Sequence, residues 1–398
     1  MINTNSPREL LWLGPFACIA LVALGLLRPL PSFAPPARSR IVMDAAGRSV
    51  QIEVPYRGTA ITWWGSFPNW YLQHTHAPET VLYAGGSRDR AFFSNNIMSW
   101  VYPQVVKNDR LWKDNAIAAG RGPYVEVESL LAFDPGAYIG AGSSGGPLPL
   151  LRRVGLPVVH TWDPHRKLEE GMFEPARIES ALVGHPERGE AMISRYRQSF
   201  AELNQELKPS TLSNHPRILM MGDFVRDKIH LSVVGPKGMY SEVYYPRVGV
   251  ANAAIGFMST TMDAERILAM DPDIVFLYGS NNGPIPMQGP ESFLQDPRWK
   301  GMKAVRDRRV YRLPSGDAPG NLLCGPILAR WMAEIAHPDQ LQPRTREALR
   351  KIIEDDFGYR LNDDQIDIVL HMNENSDQPG YERFTRNYNA NQEGKPTQ

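Results

Sequence analysis

Only two cysteines stand in the 398 residues, Cys18 and Cys324, too few and too far apart for a thiolate zinc site or a disulfide framework. The fold has to rest on packing. Charge of one sign is lacking as well: 43 Lys and Arg balance 43 Asp and Glu, which leaves no basic field to hold a phosphate backbone. Nucleic acid is not an expected partner. Metal-ligand spacings are scarce, since His74-x-His76 would share a face only if extended, and His160, Asp163 and His165 form a looser polar cluster without closed-site spacing. No resident metal or cofactor is expected. One long apolar run stands out, Leu10 to Leu27 (LLWLGPFACIALVALGLL), after Arg8 and before the Pro-rich RPLPSFAPPARSR. It reads as an export signal or an N-terminal anchor with a linker, so residues 1–39 are set apart from the fold.

What is present is a repeat. Residues 128–147, ESLLAFDPGAYIGAGSSGGP, and 265–284, ERILAMDPDIVFLYGSNNGP, share Glu128/Glu265, Leu131/Leu268, Ala132/Ala269, Asp134/Asp271, Pro135/Pro272, Gly142/Gly279, Ser143/Ser280, Gly146/Gly283 and Pro147/Pro284. Each copy reads as a short helix stopped by Asp-Pro, an apolar strand and a Gly-rich loop. A second pair, AITWWGSF from Ala60 and RILMMGDF from Arg217, supports it. Two similar α/β lobes follow. The stretch Gly142-Ser143-Ser144-Gly145-Gly146 also matches the G-x-S-x-G elbow of serine hydrolases, with Ser144 as nucleophile. Its repeat partner is Asn281, and Pro147 and Pro149 fall where an elbow would begin its helix, so the loop reads instead as a ligand loop beyond a strand's carboxyl end. Between the copies, PERGEAMISRYRQSFAELNQELKP (Pro186 to Pro209) places Met192, Tyr196, Phe200, Leu203 and Leu207 at helical spacing, which predicts one long helix joining the lobes.

The stretches RIVMDAAGRSVQIEVP, VEVESLLAFDPGAYIGAG, LRRVGLPVVH, GVANAA, MDAERILAMDPDIVFLYG, AVRDRRVYRLP and LARWMAEIAHPDQL follow one another from Arg40 onward. In order and spacing they resemble the iron-complex and cobalamin class of periplasmic binding proteins of ABC importers, over about Arg40 to Leu370. The resemblance implies an α/β fold of two Rossmann-like lobes bridged by one long helix, the class III arrangement. It divides the chain into an N-terminal lobe (40–165), a bridging helical segment (166–212) and a C-terminal lobe with its tail (213–398). It also implies a non-enzymatic, exported protein, monomeric, that passes a small metal chelate, a ferric siderophore first of all, to a permease in the inner membrane. Relatives dock through acids on each lobe; Glu242, before GVANAA, fits that place, and Glu79 is the nearest acid on the other lobe.

Candidate ligand residues come from loops at strand ends and from aromatic runs broken by Gly, Pro and Ser, where rings could wall a large chelate. These are Trp63, Trp64, Trp70 and Tyr71 on one lobe and Tyr240, Tyr244 and Tyr245 on the other, with Ser143, Ser144 and Asn281 in the Gly-rich loops. Arg88, Arg226 and Arg247 could neutralise an anionic complex. Heme or a corrinoid as cargo, a periplasmic sensor, and a secreted serine hydrolase using Ser144 stay open at this point.

Overall fold

The protein is described by a computed structural model over residues 38–61, 67–84, 90, 97–112, 127–140, 148–163, 165–209, 212–224, 231–255, 261–278, 290–314 and 324–388. A hairpin comes first, β1 (Ser39–Met43) against β2 (Ser49–Glu53), antiparallel with Ile41 opposite Gln51. Four strands then make the sheet of the N-terminal lobe: β3 (Thr59–Ile61), β4 (Val81–Tyr83), β5 (Ala137–Gly140) and β6 (Val158–His160). They run parallel in the order β4-β3-β5-β6. Strands β3, β5 and β6 are buried at every residue, because helices cover both faces of the sheet; the sequence therefore shows apolar runs and no alternation.

Period two is still visible in what each residue touches. Ala60, Tyr138 and Val158 point to an outer cluster with Leu130, Leu148 and Leu151, from helices α2 (Val127–Leu131) and α3 (Leu148–Arg153). Ile61, Ile139 and Val159 point the other way, to α1 (Phe67–Thr75) and α4 (Leu168–Leu182). In the C-terminal lobe the sheet is formed by β7 (Arg217–Phe224), β8 (Leu231–Val233), β9 (Ala251–Asn252), β10 (Thr261–Met262), β11 (Ile274–Leu277) and β12 (Val310–Arg312). Its order is β10-β8-β7-β11-β12, with β9 beside β7. Strands β7, β11, β12 and β9 are parallel; β8 and β10 turn back as an antiparallel edge.

The repeat is therefore structural: β3, β5 and β6 correspond to β7, β11 and β12. Its Asp-Pro corners do the same work twice. Asp134 and Asp271 both sit in the left-handed region, φ 49° and 39°, where an Asp ends a helix at little cost and the following Pro forbids continuation. Asp271 then accepts the N–H of Lys303 while Asp134 pairs with Arg57. The second copy's helix, Ala264–Met270, is the counterpart of α2 and is capped at its start by Asp263, which accepts the N–H of Arg266.

The connection between lobes is the helix α5 (Pro186–Leu207), 22 residues and so about 33 Å long at 1.5 Å per residue. It starts with Pro186, whose missing N–H costs nothing at that position, and ends at Lys208 in the left-handed region. Met192, Ile193, Tyr196, Phe200, Leu203 and Leu207 bury one stripe. Helix α6 (Ala264–Met270) precedes β11, and α7 (Cys324–Ala336), α8 (Thr345–Phe357) and α9 (Asp363–Val369) close the chain. One apolar cluster is continuous from Ile61 and Leu72 through Tyr196 and Phe200 to Tyr244 and Trp331; a further cluster covers the far face of the C-terminal sheet.

Helix α8 comes back across the lobe boundary. It begins in the C-terminal lobe, where Thr345 donates to Glu334 of α7, and it ends with Phe357 against His76 and Tyr102 of the N-terminal lobe, ring centroids 4.8 and 5.9 Å away. Along the way Asp356 pairs with Arg195 of α5.

Candidate ligand cleft

Strands β5 and β6 in one lobe end at Gly140 and His160, and β7, β11 and β12 in the other at Phe224, Leu277 and Arg312. Trp63, Trp64, Arg88, Ser143, Ser144, Arg226 and Asn281 lie outside the described residues. A contact across the lobe boundary is described. Arg247 ends a short helical stretch, Tyr240–Tyr244 running into Tyr245–Arg247, and its guanidinium reaches out of the C-terminal lobe. It grips Glu169, in the first turn of α4, which packs on α1 and β1 and so belongs with the N-terminal lobe, with Nη1 and Nη2 donating to Oε1 and Oε2 at 2.6 and 2.9 Å. Its Cζ stands 4.6 Å from the centre of the Phe200 ring of α5. N-lobe acid, C-lobe base and bridging helix thus meet at one point, with each charged side chain 29% exposed. Glu169 had no signal in the sequence, because an acid in a helix's first turn is already accounted for by the helix dipole.

The aromatic residues proposed with Arg247 are placed otherwise. Tyr244 is buried, stacked on Phe200 at 5.8 Å; Tyr240 meets it edge-on at 5.5 Å, and Tyr245 is 1% exposed. The run MYSEVYYPR is helical and not an open loop, so its rings are packed in the interior. Burial holds the Tyr245 phenol far above its ordinary range. Tyr71 is likewise interior: it has no exposed surface, and its hydroxyl lies between the Thr59 and Thr80 hydroxyls at 2.8 and 2.9 Å. Trp70, one residue earlier on α1, is half-buried against the same core.

Of the two acids expected to dock, Glu242 is exposed and accepts the N–H of Gly238 at 2.7 Å. Glu79 is exposed too, but at the amino end of β4, away from the carboxyl-end loops. It lines a cavity of about 480 Å³ there with Arg57, Asn108, Arg110, Phe133 and Asp134.

The histidines do not form a metal cluster: among the described residues no three His, Cys, Asp or Glu side chains are disposed to hold an ion. His74 and His76 are at the end of α1 and just past it, so they share no extended face. His74 Nδ1 is 2.8 Å from Glu179 in the core, and burial raises that carboxyl. His160 is placed 3.1 Å from Arg152, and Asp163 accepts the N–H of His165.

No helix among the described residues is long and apolar enough to cross a membrane. No curated protein matches the sequence. Solved structures do match in fold. A periplasmic solute binding protein from Veillonella parvula is 22% identical, with 85% of this chain and 99% of that one covered and a TM-score of 0.69. The molybdate periplasmic binding protein MolA of Haemophilus influenzae, bound to molybdate, is 16% identical over 81% and 99% of the two chains, at 0.64. CeuE of Helicobacter pylori with Ni(II) bound is 16% identical over 83% and 99%, at 0.62. At such identities the likeness speaks for the fold. The sequence itself matches the family of periplasmic binding proteins over residues 76–316, more than half of the chain and both copies of the repeat. With two parallel-sheet lobes joined by α5, the chain belongs to that family, as a class III solute-binding protein of the ABC-transporter type.

Proposed function

We propose that this protein captures an anionic metal chelate, a ferric siderophore, between its lobes and delivers it to an inner-membrane permease, without a resident cofactor. The family consists of non-enzymatic solute-binding proteins that work with ABC permeases in the periplasm. The observation that carries the finer reading is the Arg247 guanidinium at the floor of the lobe boundary, partly exposed and stacked on Phe200. A planar guanidinium on an aromatic ring suits paired anionic oxygens. Neighbours in fold are named for molybdate, Ni(II) and heme, all metal-bearing, and a chelated ion fits that range.

Native mass spectrometry of the protein isolated from its own host tests the proposal. A co-purified ferric chelate with net negative charge is the expected result; a corrinoid, heme or an organic solute free of metal would replace it. Binding by the identified cargo should quench tryptophan emission through Trp64 or Trp70, and Trp64→Phe/Trp70→Phe should abolish that quenching. A fluorophosphonate probe should leave the protein unlabelled, whereas labelling lost in Ser144→Ala would restore the hydrolase reading.

A further inference from the structure

We propose that Glu169 is a built-in stand-in for an anionic cargo group: it fills the Arg247 fork and ties the lobes together until a pair of ligand oxygens displaces it. This rests on the reading of the lobe boundary as the cargo site. It goes beyond it by assigning a residue, a competition and a coupling between capture and the lobe contact.

Three observations support exchange over a fixed structural pair. The pair is bidentate, at 2.6 and 2.9 Å, the geometry that a carboxylate, hydroxamate, catecholate or phosphate also satisfies. It is not sealed in the core, as each side chain keeps 29% of its surface exposed, so a partner can be swapped without unpacking the interior. Each group also has a reason to stay in place alone. Arg247 is held by the Phe200 ring 4.6 Å below its Cζ, so the fork remains set for the next anion. Glu169 is in the first turn of a 15-residue helix, where the exposed N–H groups and the dipole favour a carboxylate that has let go. The adjoining charges are already engaged elsewhere, Glu170 with Arg197 and Arg166 with Glu174, so neither readily replaces the lost partner.

The consequence is selectivity for charge. A neutral solute cannot open the pair, while a chelate carrying two closely spaced anionic oxygens can, and in doing so it removes a direct salt bridge between the lobes. Binding then loosens the very contact it replaces.

Oxalate is a suitable probe, being small, planar and dianionic. Titration calorimetry of the full chain with oxalate should show weak binding in the wild type and at least tenfold tighter binding in Glu169→Gln, where the fork is free of its competitor. Adding Arg247→Gln to that variant should remove the gain. Should Glu169→Gln not fold, Glu169→Asp, whose carboxylate is one methylene too short to span the gap, should show a smaller gain in the same direction. Oxalate affinity that is equal in wild type and variant, or a gain that survives Arg247→Gln, would overturn the proposal. Failure of the cargo reading shows itself differently, as an uncharged or metal-free solute in native mass spectrometry, and leaves the oxalate comparison unaffected.

Discussion

Gly189 of α5 shows how little slack the interior has. A Cβ there would come 2.3 Å from the carbonyl oxygen of Ala176 on α4, so no side chain fits without moving backbone. Although Ala is the better helix former, Gly189→Ala is expected to destabilise the protein by about 1–3 kcal/mol, the range of overpacked cores. Chemical denaturation checks it, and a variant as stable as wild type would mean that α4 and α5 can part freely.

Asp356 and His76 make the fold sensitive to pH in opposite senses. Burial raises the Asp356 carboxyl to about 6 in spite of Arg195, so the native state holds a proton more tightly than the unfolded chain. That contribution is complete below the ordinary value of 3.8 and is lost as pH rises through about 6. Burial, aided by Arg188, His74 and Arg195, lowers His76 to about 4 from 6.5, so its contribution is complete above 6.5 and lost as pH falls towards 4. The two oppose each other over one window and flatten the wild-type profile there. Asp356→Asn leaves His76 alone. That variant should lose stability steadily from pH 6.5 to 4, by roughly 2–3 kcal/mol, readable from denaturation midpoints at the two ends.

At the scale of elements, α8 is a second tie beside α5. Phe357→Ala removes the ring that seats α8 on His76 and Tyr102, and it should cost about 2–4 kcal/mol, with faster hydrogen exchange in α8 than in α5. Exchange that is unchanged in α8 would mean other residues hold it. Legibility differed sharply between such elements. The repeat strands and α5 could be read directly, because a doubly covered strand leaves an unbroken apolar run, as at Ile274–Leu277, and a buried helical stripe a periodic one, as at Met192 to Leu207. The crossing of α8 could not, since an amphipathic stripe records that a face is buried and not what buries it. Tyr240 and Tyr244 were missed as core for a related reason: Gly238 and Pro246 around them signal a loop, and only the four-residue spacing between the rings betrays a helical face. Arg247 was legible as a cation near a strand end, whereas its partner Glu169, 78 residues away in sequence, was not.

At the scale of the whole molecule, two straps limit how far the lobes can swing. Cargo binding is therefore expected to change the radius of gyration little, and small-angle scattering with and without the identified chelate measures it. A large contraction would mean that α5 and α8 bend. Docking is a separate surface question: Glu242→Arg should impair uptake through like-charge repulsion while cargo affinity stays near wild type. Uptake at wild-type rates would remove Glu242 from the docking surface, and a joint loss of cargo binding would move it into the cleft.

The apolar cluster that runs unbroken from Ile61 through Phe200 to Trp331 also governs how the chain melts. Two repeat halves with separate interiors could unfold one after the other. Here the halves build this central cluster together, beside an outer cluster on each sheet's far face, so unfolding either half strips packing from the other. Scanning calorimetry should record one endotherm whose van't Hoff and calorimetric enthalpies agree, the mark of a transition without a half-molten intermediate.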